Sequence, residues 1–470
     1  MKFNNFASAS LLAGAYAYEL TPDKVENDIT ENQLQSDLWN LWKIANDNGG
    51  NRAFGLPGYN ASSEFVLERF VDRFHKKFDT ITQTFTHRFA TTNSISLTGP
   101  EGEDVRVETL LYNNPTDLPG GATGNLVALP IDDTRGSGCY EDQWEGIDVT
   151  DKIVLIKRGI CAIADKLRFA KNLGAKAAVL INNVPGESIS SATLSAENYG
   201  KIAPVGVVTY EKGYEWKARV DAGEELEVTL IVDAISEDRE TWNIIAETKE
   251  GDPDNVILLG AHLDGVESGP GINDDASGVV ALLQIAESFE HYVGIKNKVR
   301  FAFWGAEESG LIGSLYYGSQ LTEEEADKIR FYYNYDMIGS LAPQYVVYAD
   351  TDAHKSGGQF LFDYLTEKGY PAQWGGFGSS SDYVAFLDLG IPSSGLFTGA
   401  GSPYDVCYHL ACDDLTNINW EALTINTKAA GRAAAELALS LDNVPPREKA
   451  SASISGTREI TSKDGKNITV

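Results

Sequence analysis

Residues 255–278 read NVILLGAHLDGVESGPGINDDASG. Val256 to Leu259 is a short apolar, β-branched run of strand length. Gly260 to Asp264 follows it with a histidine and an aspartate, and a glycine-rich loop then leads to Asn273-Asp274-Asp275, just ahead of a helical stretch from Gly278 to Tyr292. The same order of strand, loop and helix recurs downstream. Val299 to Trp304 runs into Gly305-Ala306-Glu307-Glu308, a helical pattern covers Leu311 to Gln320, and Phe331 to Tyr335 ends at Asp336. Such alternation predicts an α/β fold from about residue 240 onward, with a mixed, mostly parallel sheet flanked by helices. The Ala-rich segment 420–440 predicts a long closing helix. In open α/β sheets, sites form outside the carboxyl ends of the strands. Three predicted strands therefore bring His262, the Glu307-Glu308 pair and Asp336 to one edge.

Two further pieces belong to that edge. Asp274 lies twelve residues beyond His262, and Tyr408-His409 sits between Cys407 and Cys412 in a chain with only six histidines. Histidine nitrogens and carboxylate oxygens suit a hydrolytic zinc site better than a structural one. His262, Asp274, Glu308, Asp336 and His409, with Asp274 shared, form the inventory for two ions about 4 Å apart. Glu307 then reads as the general base and Glu308 as a ligand. Asp264 reads as the acceptor of the His262 ring N–H, fixing its tautomer. Each residue alone has an ordinary structural explanation: a carboxylate before a helix caps it, and paired glutamates are usually surface acid. What favours a site is that five independent pieces fall together. Cys407 and Cys412 read equally as a local staple or as metal thiolates.

The 470 residues allow two or three domains. Residues 1–17, with Lys2, a mildly apolar run from Phe6 to Ala13 and Ala15-Tyr16-Ala17, read as an export signal. In segment 18–60, Leu34, Leu38, Leu41 and Trp42 have helical spacing, as a pro-segment or as the first helix of the mature fold. Residues 62–78 predict an amphipathic helix capped by Ser62 or Ser63, and Thr82 to Phe89 and Val105 to Leu111 predict strands. A β-rich unit with helices is expected over 123–232, from Asn125 to Pro130, Lys152 to Lys157, a helix over Ala162 to Leu173, Ala177 to Ile181 and a closing strand Val228 to Val232. Residues 446–470 read as a polar tail. No stretch approaches the roughly 18 apolar residues of a membrane span. The formal charge of −30 argues against nucleic acid or an anionic membrane surface as the main partner. Four cysteines, Cys139, Cys161, Cys407 and Cys412, fit two disulfides in any of three pairings, and Asn60 and Asn467 begin glycosylation acceptors. Together these features predict the secretory route, to the exterior or to a vacuolar lumen.

GAHLDGVESGPGINDDASG (260–278), FWGAEESGLIGS (303–314), NYDMIG (334–339), GSSSDYVAF (378–386) and YDVCYHLACDDLTN (404–417) together resemble the cocatalytic dizinc aminopeptidases. The likeness spans about 235–440 and keeps the order and spacing of every metal motif. It implies that His262, Asp274 and Asp336 hold one zinc and Glu308 and His409 the other, with Asp274 bridging, and that Glu307 is the general base of a zinc-activated hydroxide. It further implies that Tyr408 stabilises the oxyanion and that Ser381-Asp382-Tyr383 lies near the substrate pocket. Residues 153–183, IVLIKRGICAIADKLRFAKNLGAKAAVLINN, resemble a protease-associated domain. That implies pairing of Cys139 with Cys161 and of Cys407 with Cys412, and an insertion between peptidase parts 61–122 and 233–445. Gly265 and Ala276 depart from the family pattern without removing a ligand. The implied activity is removal of the first residue from peptides with a free N-terminus. Phe377, Phe386, Phe397 and Tyr404 are candidate walls for an apolar first side chain, or plain core aromatics. Relatives of this fold also include catalytically silent receptors, carboxypeptidases, dipeptidases and glutaminyl cyclases. The complete ligand set argues against the receptor, and the inserted unit favours the aminopeptidase.

Overall fold

The computed structural model describes residues 18–186 and 192–449, together with the backbone of the antiparallel pair Glu459–Thr461 and Asn467–Thr469. The expected signal 1–17 and the side chain of Asn467 lie outside the described residues. The chain divides into two compact units, Met1–His87 with Glu240–Val470, and Arg88–Arg239.

In the first unit the strands run in the order Ala372–Gly375, Tyr345–Tyr348, Ser393–Phe397, Ile329–Tyr335, Asp252–His262 and Asn297–Trp304, with residues 244–247 of Glu227–Thr248 at the end. Ser393–Phe397, Ile329–Tyr335, Asp252–His262 and Asn297–Trp304 are mutually parallel, while Tyr345–Tyr348 and residues 244–247 pair antiparallel with their inner neighbours. The expected mixed, mostly parallel sheet is what forms. Helices cover both faces, so both sides of each central strand are apolar. Ile257, Leu259, Phe301, Phe303, Phe331 and Tyr333 belong to one core with helices Glu31–Asp47, Ser277–Glu290 and Trp420–Leu439. The alternate residues Leu258, Ala302, Trp304 and Tyr332 belong to another with helices Ile312–Gln320 and Tyr383–Asp388. The two-residue period of the strand assigns each side chain to its face.

The segment before residue 60 is built into this unit. Helix Glu31–Asp47 buries Leu34, Leu38 and Leu41 in the first core. Each leucine contributes roughly 1.5–3 kcal/mol relative to exposure. On the same helix buried Asp37 accepts hydrogen bonds from Arg69 and, at 2.7 Å, from Gln284 Nε2. The next helix starts earlier than the sequence suggests. It spans Pro57–Leu67, with proline at its first position, and continues as a wider turn over Glu68–Arg73. Ser62 and Ser63 do not cap it: their hydroxyls donate back to the carbonyls of Gly58 and Tyr59, at 2.8 and 3.0 Å.

In the second unit Ala122–Ala128, Ile153–Lys157, Ala177–Ile181 and Val205–Val208 are parallel neighbours, with residues 227–230 antiparallel at one edge. Helices Ile163–Asn172 and Tyr210–Asp221 complete it. Cys139 is bonded to Cys161. Thr82 to Phe89 lies within the longer strand Phe78–Thr98, but of the expected strand 105–111 only Val105, with Asp104 before it, forms a ladder. Glu108 and Leu111 make single bridges, to Val207 and Thr193. Residues 88–122 fall in this unit rather than with the peptidase part, because Leu97, Val105, Leu110 and Tyr112 are buried in its cores.

Candidate functional site

Strands Asp252–His262 and Asn297–Trp304 end abreast, with Trp304 opposite His262, and Ile329–Tyr335 ends beside them. Their parallel alignment puts the three following turns on one edge. Two of these turns are tightly bent, at Ala306 and Met337 with φ of 58° and 54°, and His409, in the loop 398–419, has 59°, values that cost energy for residues with a side chain.

Two groups of side chains meet there and share one carboxylate. His262 Nε2 lies 3.1 Å from Asp274 Oδ1 and 3.6 Å from Asp336 Oδ1. His409 Nε2 lies 3.0 Å from Glu308 Oε2 and 3.2 Å from the other oxygen of Asp274. Within each group the ligand atoms are all within 4.8 Å of one another. Glu307 belongs to neither group. It is buried, with Oε2 3.8 Å from His262 Nε2. The Tyr408 ring stacks on that of His409 with centroids 3.8 Å apart, and Cys407 and Cys412 are joined as a disulfide around the pair.

Asp264 acts differently from the sequence expectation. His262 Nδ1 is 3.0 Å from the backbone carbonyl of Asp264, while the nearer carboxylate oxygen is 4.0 Å away. The carboxylate instead accepts from the backbone N–H groups of Glu307 and Glu308, at 3.0 and 3.3 Å. These amides follow a strand end and have no ladder partner, so a buried acceptor is needed where Asp264 stands. The histidine tautomer is thus held by a main-chain oxygen, and Asp264 fixes the glutamate pair.

Other supports come from residues that the sequence marks weakly or not at all. The Asp275 carboxylate accepts from the backbone of His262, Gly278 and Met337, at 3.2, 2.9 and 3.1 Å, tying three segments together. Asp413 accepts from the N–H groups of Asn273 and Asp274, at 2.9 and 3.1 Å, and so links the loop of His409 to the shared carboxylate. Ser381 donates to Asp336 Oδ2 at 2.6 Å and accepts from Asn334 at 2.8 Å. The doublets Asp274-Asp275 and Asp413-Asp414 were the available signal for two of these. Phe386 is a core residue, stacked on Tyr332 at 3.8 Å. Tyr348 instead gathers Phe377 and Phe397 at 5.2 and 6.1 Å, and Phe377 meets Tyr383, two residues from Ser381.

The electrostatics call for cations. Burial, reinforced by Asp274, holds Glu308 up at about 7. Burial pushes Glu307 well above the carboxylate range, with Asp382, Glu308 and Asp336 adding to it and His262 opposing. Burial alone would depress both histidines, yet Asp274 and Glu308 keep His409 up at about 10, and Glu307, Asp274 and Asp336 raise His262 well above its ordinary value. Glu308 Oε1 is buried with no hydrogen-bond partner. A buried crowd of acids with an orphaned oxygen is costly unless positive charge is placed among them. The two groups fit divalent ions with nitrogen and oxygen ligands.

Residues 243–434, which contain every residue of the two groups, match peptidase family M28, and residues 122–216 match the PA domain. Aminopeptidase Y of Saccharomyces cerevisiae is 35% identical over 450 residues, covering 91% of this chain and 82% of that protein. The chain belongs to peptidase family M28. A probable leucine aminopeptidase 2 of Aspergillus oryzae is 35% identical to this M28 peptidase over 471 residues, 94% of this chain and 92% of the relative. Among solved structures, an aminopeptidase from Aneurinibacillus sp. strain AM-1 superposes with a TM-score of 0.71 at 25% identity, over 88% of this chain and 95% of its own. No helix among the described residues is long and apolar enough to cross a membrane.

Proposed function

We propose that this M28 peptidase is a two-zinc aminopeptidase of the secretory route, secreted or vacuolar, acting on peptides with a free N-terminus. The observation that carries the reading is the pair of three-residue groups sharing Asp274. His262, Asp274 and Asp336 would hold one zinc, and Asp274, Glu308 and His409 the other. Zinc bound there would make water nucleophilic near neutral pH and polarise the scissile carbonyl. Glu307 is outside both groups, with Oε2 3.8 Å from His262 Nε2; ionised once cations offset the surrounding acids, it takes the proton from the attacking water and passes it to the leaving amine. Tyr408 keeps its proton, because burial and the surrounding acids oppose its ionisation, and it donates to the developing oxyanion. The acidic surroundings suit a substrate α-ammonium. The aromatic cluster of Tyr348, Phe377, Phe397 and Tyr383 next to Ser381 suits an apolar first side chain. A zinc aminopeptidase from Bacillus subtilis whose structure is 25% identical with a TM-score of 0.63, together with the fungal aminopeptidase relatives, supports the reading.

The test is hydrolysis of leucine p-nitroanilide alongside its N-acetylated form. Cleavage of the free-amine substrate alone is expected. Equal cleavage of both would contradict recognition of the N-terminus and point to another peptide end.

A further inference from the structure

Arg52 is fully buried, outside the family match, and far in sequence from every candidate ligand. Its guanidinium donates from Nη1 to Leu263 O at 2.5 Å, from Nε to Pro270 O at 2.9 Å and from Nη2 to Gly271 O at 2.5 Å. Its own carbonyl accepts from Gly265 N at 3.4 Å. One residue thus grips the loop between His262 and Asp274 at both ends. Leu263 adjoins the histidine, and Gly271 stands three residues before the shared aspartate.

Gly271 is shaped for this grip. Its φ is +63°, and a Cβ there would lie 2.5 Å from Asp274 O and 3.1 Å from Arg52 Nη2. A side chain would therefore push apart the guanidinium and the turn that carries Asp274. The charge also matters. Burial works against the guanidinium, and Asp264, Asp275, Asp413 and Asp274 are the acids that compensate it. Burying an arginine against neutral carbonyls is expensive, and an apolar residue of similar length would fill the volume without that cost. What methionine lacks is the rigid fork of donors that spans three carbonyls, and what lysine lacks is its planar geometry.

Building on the two-zinc reading, we infer that Arg52 is a positioning residue for the metal pair. It sets the separation of His262 and Asp274 by pinning both ends of the loop that joins them. The segment 18–60 therefore serves the site as well as the core.

The test compares wild type with Arg52→Met, Arg52→Lys and Arg52→Ala, each stripped of metal and titrated with zinc against a competing chelator. Arg52→Met is expected to stay folded by circular dichroism and to bind zinc about 10- to 100-fold more weakly, as the loss of a ligand-orienting partner does elsewhere. Its kcat should fall with little change in KM. Arg52→Lys should be intermediate. Guanidinium chloride at low, non-denaturing concentration should restore zinc affinity to Arg52→Ala. Folded Arg52→Met with wild-type zinc affinity would overturn the inference. If that variant fails to fold, Arg52→Lys decides in the same way. Wild-type protein that takes up no zinc would overturn the two-zinc reading itself, so the two failures are distinguishable.

Discussion

At the scale of single residues, the proposed site separates side chains that would hold metal from one that would move a proton. Glu307 and Glu308 are neighbours with different contacts. Glu308 meets His409 at 3.0 Å, while Glu307 faces His262 from outside both groups. Glu307→Gln keeps the shape and removes the proton acceptor. It should retain zinc while kcat falls about 100- to 10,000-fold. Unchanged turnover with leucine p-nitroanilide would remove Glu307 from its role. His409→Ala should instead weaken zinc binding, and full retention of zinc by that variant would count against its assignment as a ligand. Of the proposed ligands, His262, Asp274, Glu308 and Asp336 stood out in the sequence because they follow strands or precede a helix, and His409 because it lies between Cys407 and Cys412. Asp275, Asp413 and Arg52 were not, because they act on backbone groups of distant segments. Arg52 reaches Leu263 and Gly271 across more than two hundred residues, and no local pattern marks such a contact. The contact of Asp264 was misread for the same reason, since its carboxylate serves amides more than forty residues away.

At the scale of elements, apolar runs located the strands well because both faces of the sheet are buried. The helix expected over 62–78 was misplaced at both ends, since its hydrophobic pattern is clearest after residue 62 while Pro57 opens it, and it ends at Arg73 before the strand that starts at Phe78. Strand 105–111 was overcalled because alternation alone does not supply a neighbour along its whole length. The helix Glu31–Asp47 had two readings in sequence, and its burial argues for a working part of the fold. Leu41 is wholly buried in the main core. Leu41→Ala should lower unfolding free energy by about 2–5 kcal/mol in urea titration. Stability within error of wild type would mean that the helix is dispensable. Intact mass of the mature enzyme should likewise include this helix, and a chain beginning after residue 47 with full activity would contradict its role.

At the scale of the whole molecule, the sequence marks the inserted unit from residue 123, where the PA match begins at 122, whereas the compact unit that contains it begins at Arg88. The apolar residues of 88–122 are sparse, and what places them is burial among strands much later in the chain. The excess of acid, −30 overall, told against polyanionic partners but said nothing of where acids would be concentrated. The first unit gathers some of them around two histidines, and that concentration is the centre of the account. The most direct measurement is zinc titration of chelator-stripped protein, with bound metal and leucine p-nitroanilide hydrolysis followed together. The account predicts uptake of two zinc ions per chain, with activity regained as they bind. Saturation at one ion, or full activity with none, would contradict it.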